Sequence, residues 1–331
     1  MSDMKVCIVG AGAIGGFIGA RLAASGVSTS VLARRDTLQA LQTHGWRLHT
    51  EQGLIQAATE ASDRAESLGH QDLVIIALKG QVLPELVASL KPLIGPNTLI
   101  LPTMNGVPWW FCQSVSGFSP EPLRSVDPQG LIAEVLPQQQ VIGVVVHASC
   151  LCPEPGVVRH VMGNGLIIGE PGGGHSERVH HVASMLAGAG FSVTESTDIR
   201  RDIWYKLWGN LTMNPVSAMT GATTEAILSD ELVKTFCSDV MREAALIGAR
   251  IGCVIDQEPD DRHAITLKLG AFKTSMLQDA EAGRALELDA IVSVVAEIAT
   301  RLQIDAPNLR ALLGLSRLFA SSHGLYSRAG Q

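Results

Sequence analysis

Residues 5–16 read KVCIVGAGAIGG. Lys5 leads into Val6-Cys7-Ile8-Val9, an uncharged and largely β-branched run that predicts a buried parallel strand over Lys5–Val9. Gly10-Ala11-Gly12-Ala13-Ile14-Gly15 follows at once, and the spacing over Ala13–Ala24 predicts a helix that opens inside the loop. The glycines have separable tasks. Gly10 permits a tight turn, Gly12 lets a pyrophosphate reach the backbone, and Gly15 lets helix and strand pack closely. The helix N-terminus adds unpaired N–H groups and the positive end of a dipole. With a further strand predicted over Ser28–Ala33, Gly10 to Gly15 read as the phosphate-binding loop of a dinucleotide-binding unit.

Outward from that loop, the second strand runs into Arg34-Arg35. A site for NAD usually has Asp or Glu there to hold the ribose 2′-hydroxyl. Arginine instead suits a 2′-phosphate, so Arg34 predicts NADP(H). Trp46–Thr50 and Leu54–Ala58 read as a small hairpin, Asp72–Leu78 and Thr98–Leu101 as further buried strands, and Val82–Leu90 as a crossover helix. Gly10, Gly12, Arg34, Lys79 and Asn105 all fall just past the carboxyl ends of successive predicted strands. In a doubly wound sheet those ends share the edge where ligands bind.

The middle of the chain is less regular. Pro108–Pro137 holds Trp109-Trp110-Phe111 and reads as a long loop with a short helix near Pro128–Leu136. Its aromatics suit either a lid over a substrate or packing against the first domain. Val141–His147 reads as a strand, Gly156–Met162 and Leu166–Gly169 as a hairpin turning at Gly163-Asn164-Gly165, and Phe191–Glu195 as a last strand. His175, His180 and His181 fit no metal template and read as solvated.

From about Asp198 the periodicity is helical, which sets a Rossmann-like doubly wound α/β domain over residues 1–198 before an all-α domain over 199–331. The helical part opens on DIWYKLWGNLTMNPVSAMT, Asp202–Thr220. Lys206, Asn210 and Asn214 recur every four residues, which places one ammonium and two carboxamides along one stripe of an otherwise apolar helix. Pro215 predicts a kink or an end. Further helices are expected over Leu232–Ile251, Ala264–Asp279 and Arg284–Leu302. On the last of these, Glu287 shares the side of Leu288, Ile291, Val294, Val295, Ile298 and Leu302. A carboxylate there needs a partner: Arg284 or another cation in a structural reading, Lys206 in a functional one.

A cofactor edge and a Lys/Asn/Asn stripe suit hydride transfer to a carbonyl. The charge that develops on the carbonyl oxygen needs a proton and aligned donors. Lys206 can supply the proton, and burial lowers the pKa of an ammonium while a carboxylate raises it.

The totals narrow the field. The chain has 331 residues, enough for two domains, and is 46% hydrophobic and 17% charged. Its mean hydropathy of +0.23 suits large cores and an apolar contact between two copies, hence a homodimer. The net charge is −7 with no long basic run, which gives nucleic acid no footprint. No secretory pattern opens the sequence and no apolar run approaches a membrane span, so a cytoplasmic enzyme is expected. The six cysteines form no CxxC pair or zinc spacing and are expected as buried free thiols, with no metal site.

These motifs resemble the ketopantoate reductases (2-dehydropantoate 2-reductases), over nearly the whole chain. The resemblance rests on GAGAIGG at Gly10–Gly16, Arg34, ALKG ending at Lys79-Gly80, Asn105-Gly106, KLWGNLTMNPVSAMTG at Lys206–Gly221, SMLQD at Ser275–Asp279 and GRALELD at Gly283–Asp289. It implies reduction of ketopantoate to pantoate with NADPH, within pantothenate and coenzyme A synthesis. By the same resemblance Lys206 is the general acid and Glu287 its acidic partner. Asn210 and Asn214 hold substrate oxygens, Ser275 holds the carboxylate, and Lys79 and Asn105 lie between nicotinamide and substrate. The chain departs from the pattern at Leu286, where threonine is usual, and in the longer Pro108–Pro137 loop. A paralogous reductase of another 2-oxo acid and a non-catalytic NADP sensor are the alternatives.

Overall fold

The computed structural model describes residues 4–268 and 270–326. Two compact units divide the chain: residues up to Met104 together with Leu131–Asp202, and Asn105–Gly130 together with the residues from Ile203 onward.

Among the described residues, ten strands belong to the first unit. They are β1 (Val6–Val9), β2 (Thr29–Leu32), β3 (Trp46–Thr50), β4 (Gly53–Ala57), β5 (Glu60–Ser62), β6 (Gln71–Ile76), β7 (Ile94–Pro102), β8 (Gly143–Glu154), β9 (Val157–Gly169) and β10 (Ser192–Ser196). One sheet has the order β5-β2-β1-β6-β7 and is parallel throughout. From β1 the chain proceeds outward through β2 to β5, then returns to the other side for β6 and β7. That reversal puts the end of β1 at the switch point of the sheet, where ligands bind in such folds. Val6, Ile8, Leu73 and Ile75 are fully buried, which explains why these strands lack polar alternation.

The second sheet is built on β9. β8 pairs antiparallel along one edge of it, while β3 and then β10 pair parallel along the other, and β4 closes on β3. Helix Ala13–Ala24 packs against both sheets, with Phe17, Ile18 and Leu22 buried in a core shared with Trp46, Leu48, Val158 and Ile168. Small residues make that possible. A Cβ at Gly16 would lie 2.5 Å from the Val158 side chain, and one at Gly19 would lie 2.5 Å from the Trp46 ring. A close-packed interior has no room for either addition.

Several expectations need correction here. The hairpin does not turn at Gly163-Asn164-Gly165. Residues 157–169 form one strand, and the chain reverses at Pro155-Gly156. Gly163 has a φ of +71°, and a Cβ on it would come within 2.5 Å of the His147 carbonyl oxygen. The β8–β9 register shifts around His147, Ser149 and Cys150, so the glycines mark an irregular, bulged stretch rather than a loop. The crossover after β6 is not one α-helix. It consists of 3-10 turns at Gly80–Val82 and Val87–Leu93 around a single α-turn, Leu83–Leu86, with Pro84 and Pro92 removing backbone donors. Cys152 is exposed and Cys150 half-buried, so the thiols are not all interior.

The second unit is helical. Its long helix, Ile199–Thr220, opens at the end of the first unit and runs through Pro215 without ending. Leu211, Thr212, Met213, Asn214, Val216 and Ser217 are all buried around the proline, and that packing outweighs the lost backbone bond, worth ~3 kcal/mol. Trp204 and Trp208 donate from their indole nitrogens to the carbonyls of Ala244 (3.2 Å) and Met241 (2.7 Å), fixing this helix to helix Glu231–Arg250. The helix expected over Ala264–Asp279 is two, Pro259–Leu267 and Ser275–Glu281, with Gly270 at φ +66° in the break. Residues 284–287 are not helical. The next core helix begins at Leu288, passes through a π-turn at Asp289–Ser293 and continues as Val294–Arg301, and helix Pro307–Ser322 follows it.

Asn105–Gly130 packs with this helical unit although it follows a sheet strand. Trp109, Trp110 and Phe111 are buried, and Phe111 stacks on Trp204 at 5.9 Å. The aromatics therefore form core, not a lid, and the core is that of the helical unit. Glu297 takes the backbone N–H groups of Arg124 and Ser125 on its two oxygens, each at 2.8 Å. Arg301 pairs with Glu297 and donates to the carbonyls of Glu121 and Pro122. No helix among the described residues is long and apolar enough to cross a membrane.

Candidate active site

The candidate site residues fall into two groups, one on each unit. The first group lines the carboxyl edge of the parallel sheet. Gly10 has a φ of +93°, the left-handed region that glycine tolerates, and its N–H bonds the Leu32 carbonyl. A Cβ at Gly15 would come within 1.9 Å of the Gly10 carbonyl oxygen, whereas one at Gly12 would meet nothing within 4 Å. The loop is thus tight where helix and strand meet and open where a ligand would approach. Gly12 caps helix Ala13–Ala24 without any side-chain bond, and no acid lies in the first turn. Its leading N–H groups and dipole suit a phosphate.

Arg34 stands beyond β2 as the N-cap of helix Arg35–His44, exposed, and Arg35 has a φ of +51°. A non-glycine residue in that region is uncommon, and such strain gathers at ligand sites. Lys79 follows β6, half-buried, at the cap of the Gly80–Val82 turn.

The second group gathers around Lys206. This half-buried side chain rises from helix Ile199–Thr220, and its Nζ donates to Asn105 Oδ1 at 3.0 Å. Asn105 stands just past β7 and belongs to the helical unit. Burial pulls the Lys206 ammonium down to about 8, and the charge of Glu287 acts against that fall. Glu287 is itself buried, which for a carboxylate requires such a cation nearby. Of the two cations expected for it, Lys206 is the one it acts on here, while Arg284 bonds Asp279 at 2.9 Å.

The remaining candidates lie on the same unit. Asn210 is half-buried and Asn214 buried, one and two turns along the Lys206 helix. Ser275 is exposed at the first turn of helix Ser275–Glu281, whose cap is Thr274.

The backbone that presents Asn105 and Glu287 was not legible in the residue pattern. Val107 N–H bonds the Ala290 carbonyl at 2.8 Å, and Gly106, at φ +85°, passes so close that a Cβ would lie 2.1 Å from that oxygen. Ala290 lies in the π-turn that starts two residues after Glu287. One irregular turn thus adjoins both polar partners of Lys206. Irregular turns of this kind are frequent at functional sites. The pairing Asn105-Gly106 was the available signal, but it points equally to an ordinary turn.

A parallel sheet with a glycine loop at its switch point, joined in one chain to a helical unit carrying a lowered ammonium, defines the class: an oxidoreductase on a dinucleotide-binding fold. The family described as ketopantoate reductase PanE/ApbA matches residues 6–173, and its C-terminal region matches residues 198–320. The chain belongs to this ketopantoate reductase family. A 2-dehydropantoate 2-reductase from Mesorhizobium japonicum is 41% identical over 326 residues, 98% of this chain and 100% of the relative. A crystal structure from Ralstonia solanacearum MolK2, assigned as a ketopantoate reductase, is 49% identical with a TM-score of 0.94, covering 98% of this chain and 100% of that one. A D-mandelate dehydrogenase solved with NADH and anilino(oxo)acetate shares the fold at 19% identity and a TM-score of 0.83, with 98% and 100% covered.

Proposed function

We propose that this chain reduces ketopantoate to pantoate with NADPH, and that Lys206 is the general acid. The observation that carries the reading is Lys206 itself: a lysine drawn down to about 8, bonded to Asn105 and acted on by a buried Glu287. A proton donor works best with a pKa near the working pH.

The residues present fit the cofactor. The open backbone at Gly12, with Ala11, Ala13 and Ile14 around it, would take the pyrophosphate, and Arg34 the 2′-phosphate. Lys79 and Asn105 would stand near the nicotinamide. When bound, the cofactor supplies the hydride. Lys206 donates its Nζ proton to the carbonyl oxygen as that oxygen gains charge, and is left as a neutral amine that solvent reprotonates. Glu287 holds the ammonium in direction. Asn210 and Asn214 donate to substrate oxygens, and Ser275 to the carboxylate. The strongly exposed leucines of the helical unit, Leu232, Leu246, Leu315 and Leu318, support a homodimer through that unit.

The test is NADPH oxidation with ketopantoate and a small panel of 2-oxo acids, beside Lys206→Ala. That variant should lose about 10²–10⁴ in kcat with the wild-type fold retained. Turnover of another acid alone would replace ketopantoate as substrate. Tight NADPH binding with no turnover would mark a sensor, and near-full activity in Lys206→Ala would remove that residue from the chemistry. Arg34→Ala should weaken NADPH binding at least tenfold and leave NADH almost unchanged. Equal losses for both would refute the 2′-phosphate role.

A further inference from the structure

The stretch carrying Glu287 is not held by a helix of its own. Residues 284–287 have no regular structure, and Glu287 immediately precedes the helix that opens at Leu288. Asp279 holds Arg284 at the start of the stretch, and a further hold comes from nearly 40 residues further along the chain. Leu286 N–H donates to the Leu325 carbonyl at 2.9 Å, one residue before Glu287. Tyr326 donates its hydroxyl to Asp289 Oδ1 at 2.8 Å, two residues after it. Ser293 Oγ donates to the same oxygen at 2.8 Å, across the π-turn. Leu325 is buried, as are Leu286 and Leu288 on either side of Glu287.

The two tail bonds therefore bracket the glutamate. The π-turn they anchor also receives Val107 N–H on the Ala290 carbonyl, two residues from the Asn105 that bonds Lys206. We infer that Tyr326 is a positioning residue: through Asp289, helix Pro307–Ser322 and its Leu325-Tyr326 exit latch Glu287 and the π-turn in the register that Lys206 needs. A hydrogen bond to a charged carboxylate is among the stronger ones, and a group displaced by about 1 Å near a reacting centre can lower the rate a hundredfold. The inference rests on the proposed role of Lys206 and Glu287. It adds a residue that acts through Asp289.

The experiment uses the full-length chain with Tyr326→Phe and, separately, Asp289→Ala. Ser322→Ala, at the end of helix Pro307–Ser322, is the control; among the described residues its hydroxyl bonds the nearby Phe319 carbonyl and His323. Two readouts are taken across pH: kcat with the acid the wild type turns over, and labelling of the Lys206 amine by trace acetic anhydride, quantified by mass spectrometry. The second needs no turnover. If the catalytic reading fails, the latch is still tested by the titration of the amine.

Loosening Glu287 removes the charge that raises the Lys206 pKa. In Tyr326→Phe the Lys206 titration should therefore move below its wild-type midpoint by about half a unit or more. The alkaline fall of kcat should move with it, with kcat down about tenfold and the KM for NADPH unchanged. Asp289→Ala should shift further in the same direction, and Ser322→Ala should not shift. An unchanged Lys206 titration in a folded Tyr326→Phe variant overturns the latch. So does a fall in kcat that tracks thermal stability alone, with the pH profile fixed.

Discussion

An ammonium that titrates near 8 is half charged at a pH where an ordinary lysine holds nearly all its protons. The folded chain binds this proton less tightly than the unfolded chain, whose lysine titrates near 10.5. Between about 8 and 10.5 the unfolded state thus holds more protons, and stability contributed at this site rises with pH. Below about 8 the full penalty is present, roughly 3 kcal/mol by the usual conversion of pKa difference to free energy. Lys206→Met should therefore be inactive yet more stable than wild type in urea at pH 7, with its advantage shrinking by pH 10. A variant less stable at both pH values would mean that the Asn105 bond outweighs the desolvation. At this scale the sequence was informative. A four-residue spacing placed Lys206, Asn210 and Asn214 on one helix, and a strand-end position singled out Asn105. Glu287 reads as sharing a helical face with Leu288 and Ile291, but it lies one residue before that helix, because residues 284–287 have no regular structure and no local signal marks where the helix begins.

Elements with strong local signals were legible to within a residue or two. Helix Ala13–Ala24 and strand β3 have the predicted bounds, since a glycine loop and a Gln52-Gly53 turn delimit them. Elements decided by distant packing were not. β5 is three residues long and exists because it completes the sheet beside β2. β9 contains glycines that locally favour a turn, and its long pairing with β8 overrides them. The long helix passes Pro215 for a similar reason. Packing at this scale is tight where Trp204 meets helix Glu231–Arg250. A Cβ at Gly248 would lie 2.2 Å from the Trp204 indole nitrogen and 2.8 Å from the Cys253 carbonyl oxygen. Gly248→Ala adds helix propensity, but it overfills a site whose neighbours are a buried ring and backbone. It should lower stability by about 1–3 kcal/mol, read by chemical denaturation with tryptophan fluorescence. A gain in stability would show that the Trp204 side chain can retreat freely.

Across the whole molecule, sequence order and compactness diverge. A single cut near residue 198 was the natural inference from helical periodicity, but Asn105–Gly130 clusters with the helical residues. The signal was present in Trp109-Trp110-Phe111, yet nothing local says which core an aromatic run will enter. The consequence is testable by dissection. A fragment of residues 199–331 lacks Phe111 against Trp204 and leaves the Glu297 carboxylate without its two backbone partners. It should bind a hydrophobic dye and give weak near-ultraviolet dichroism, whereas adding residues 105–130 as a separate peptide should restore part of the signal. A fragment that folds cooperatively alone would show the segment to be dispensable.

The bonds from Arg301 to Glu121 and Pro122 span 180 and 179 residues. On the ribosome, the segment holding Glu121 and Pro122 therefore emerges long before the helix whose Arg301 binds it exists. At about 5–20 residues per second, the interval is roughly 10–40 s. Throughout that time the segment waits without its final neighbours, while the strands made before it can already be pairing. Newly made chains of this protein should depend on chaperones more than their finished stability would suggest, and slowing translation between codons 130 and 300 should increase the fraction lost to aggregation.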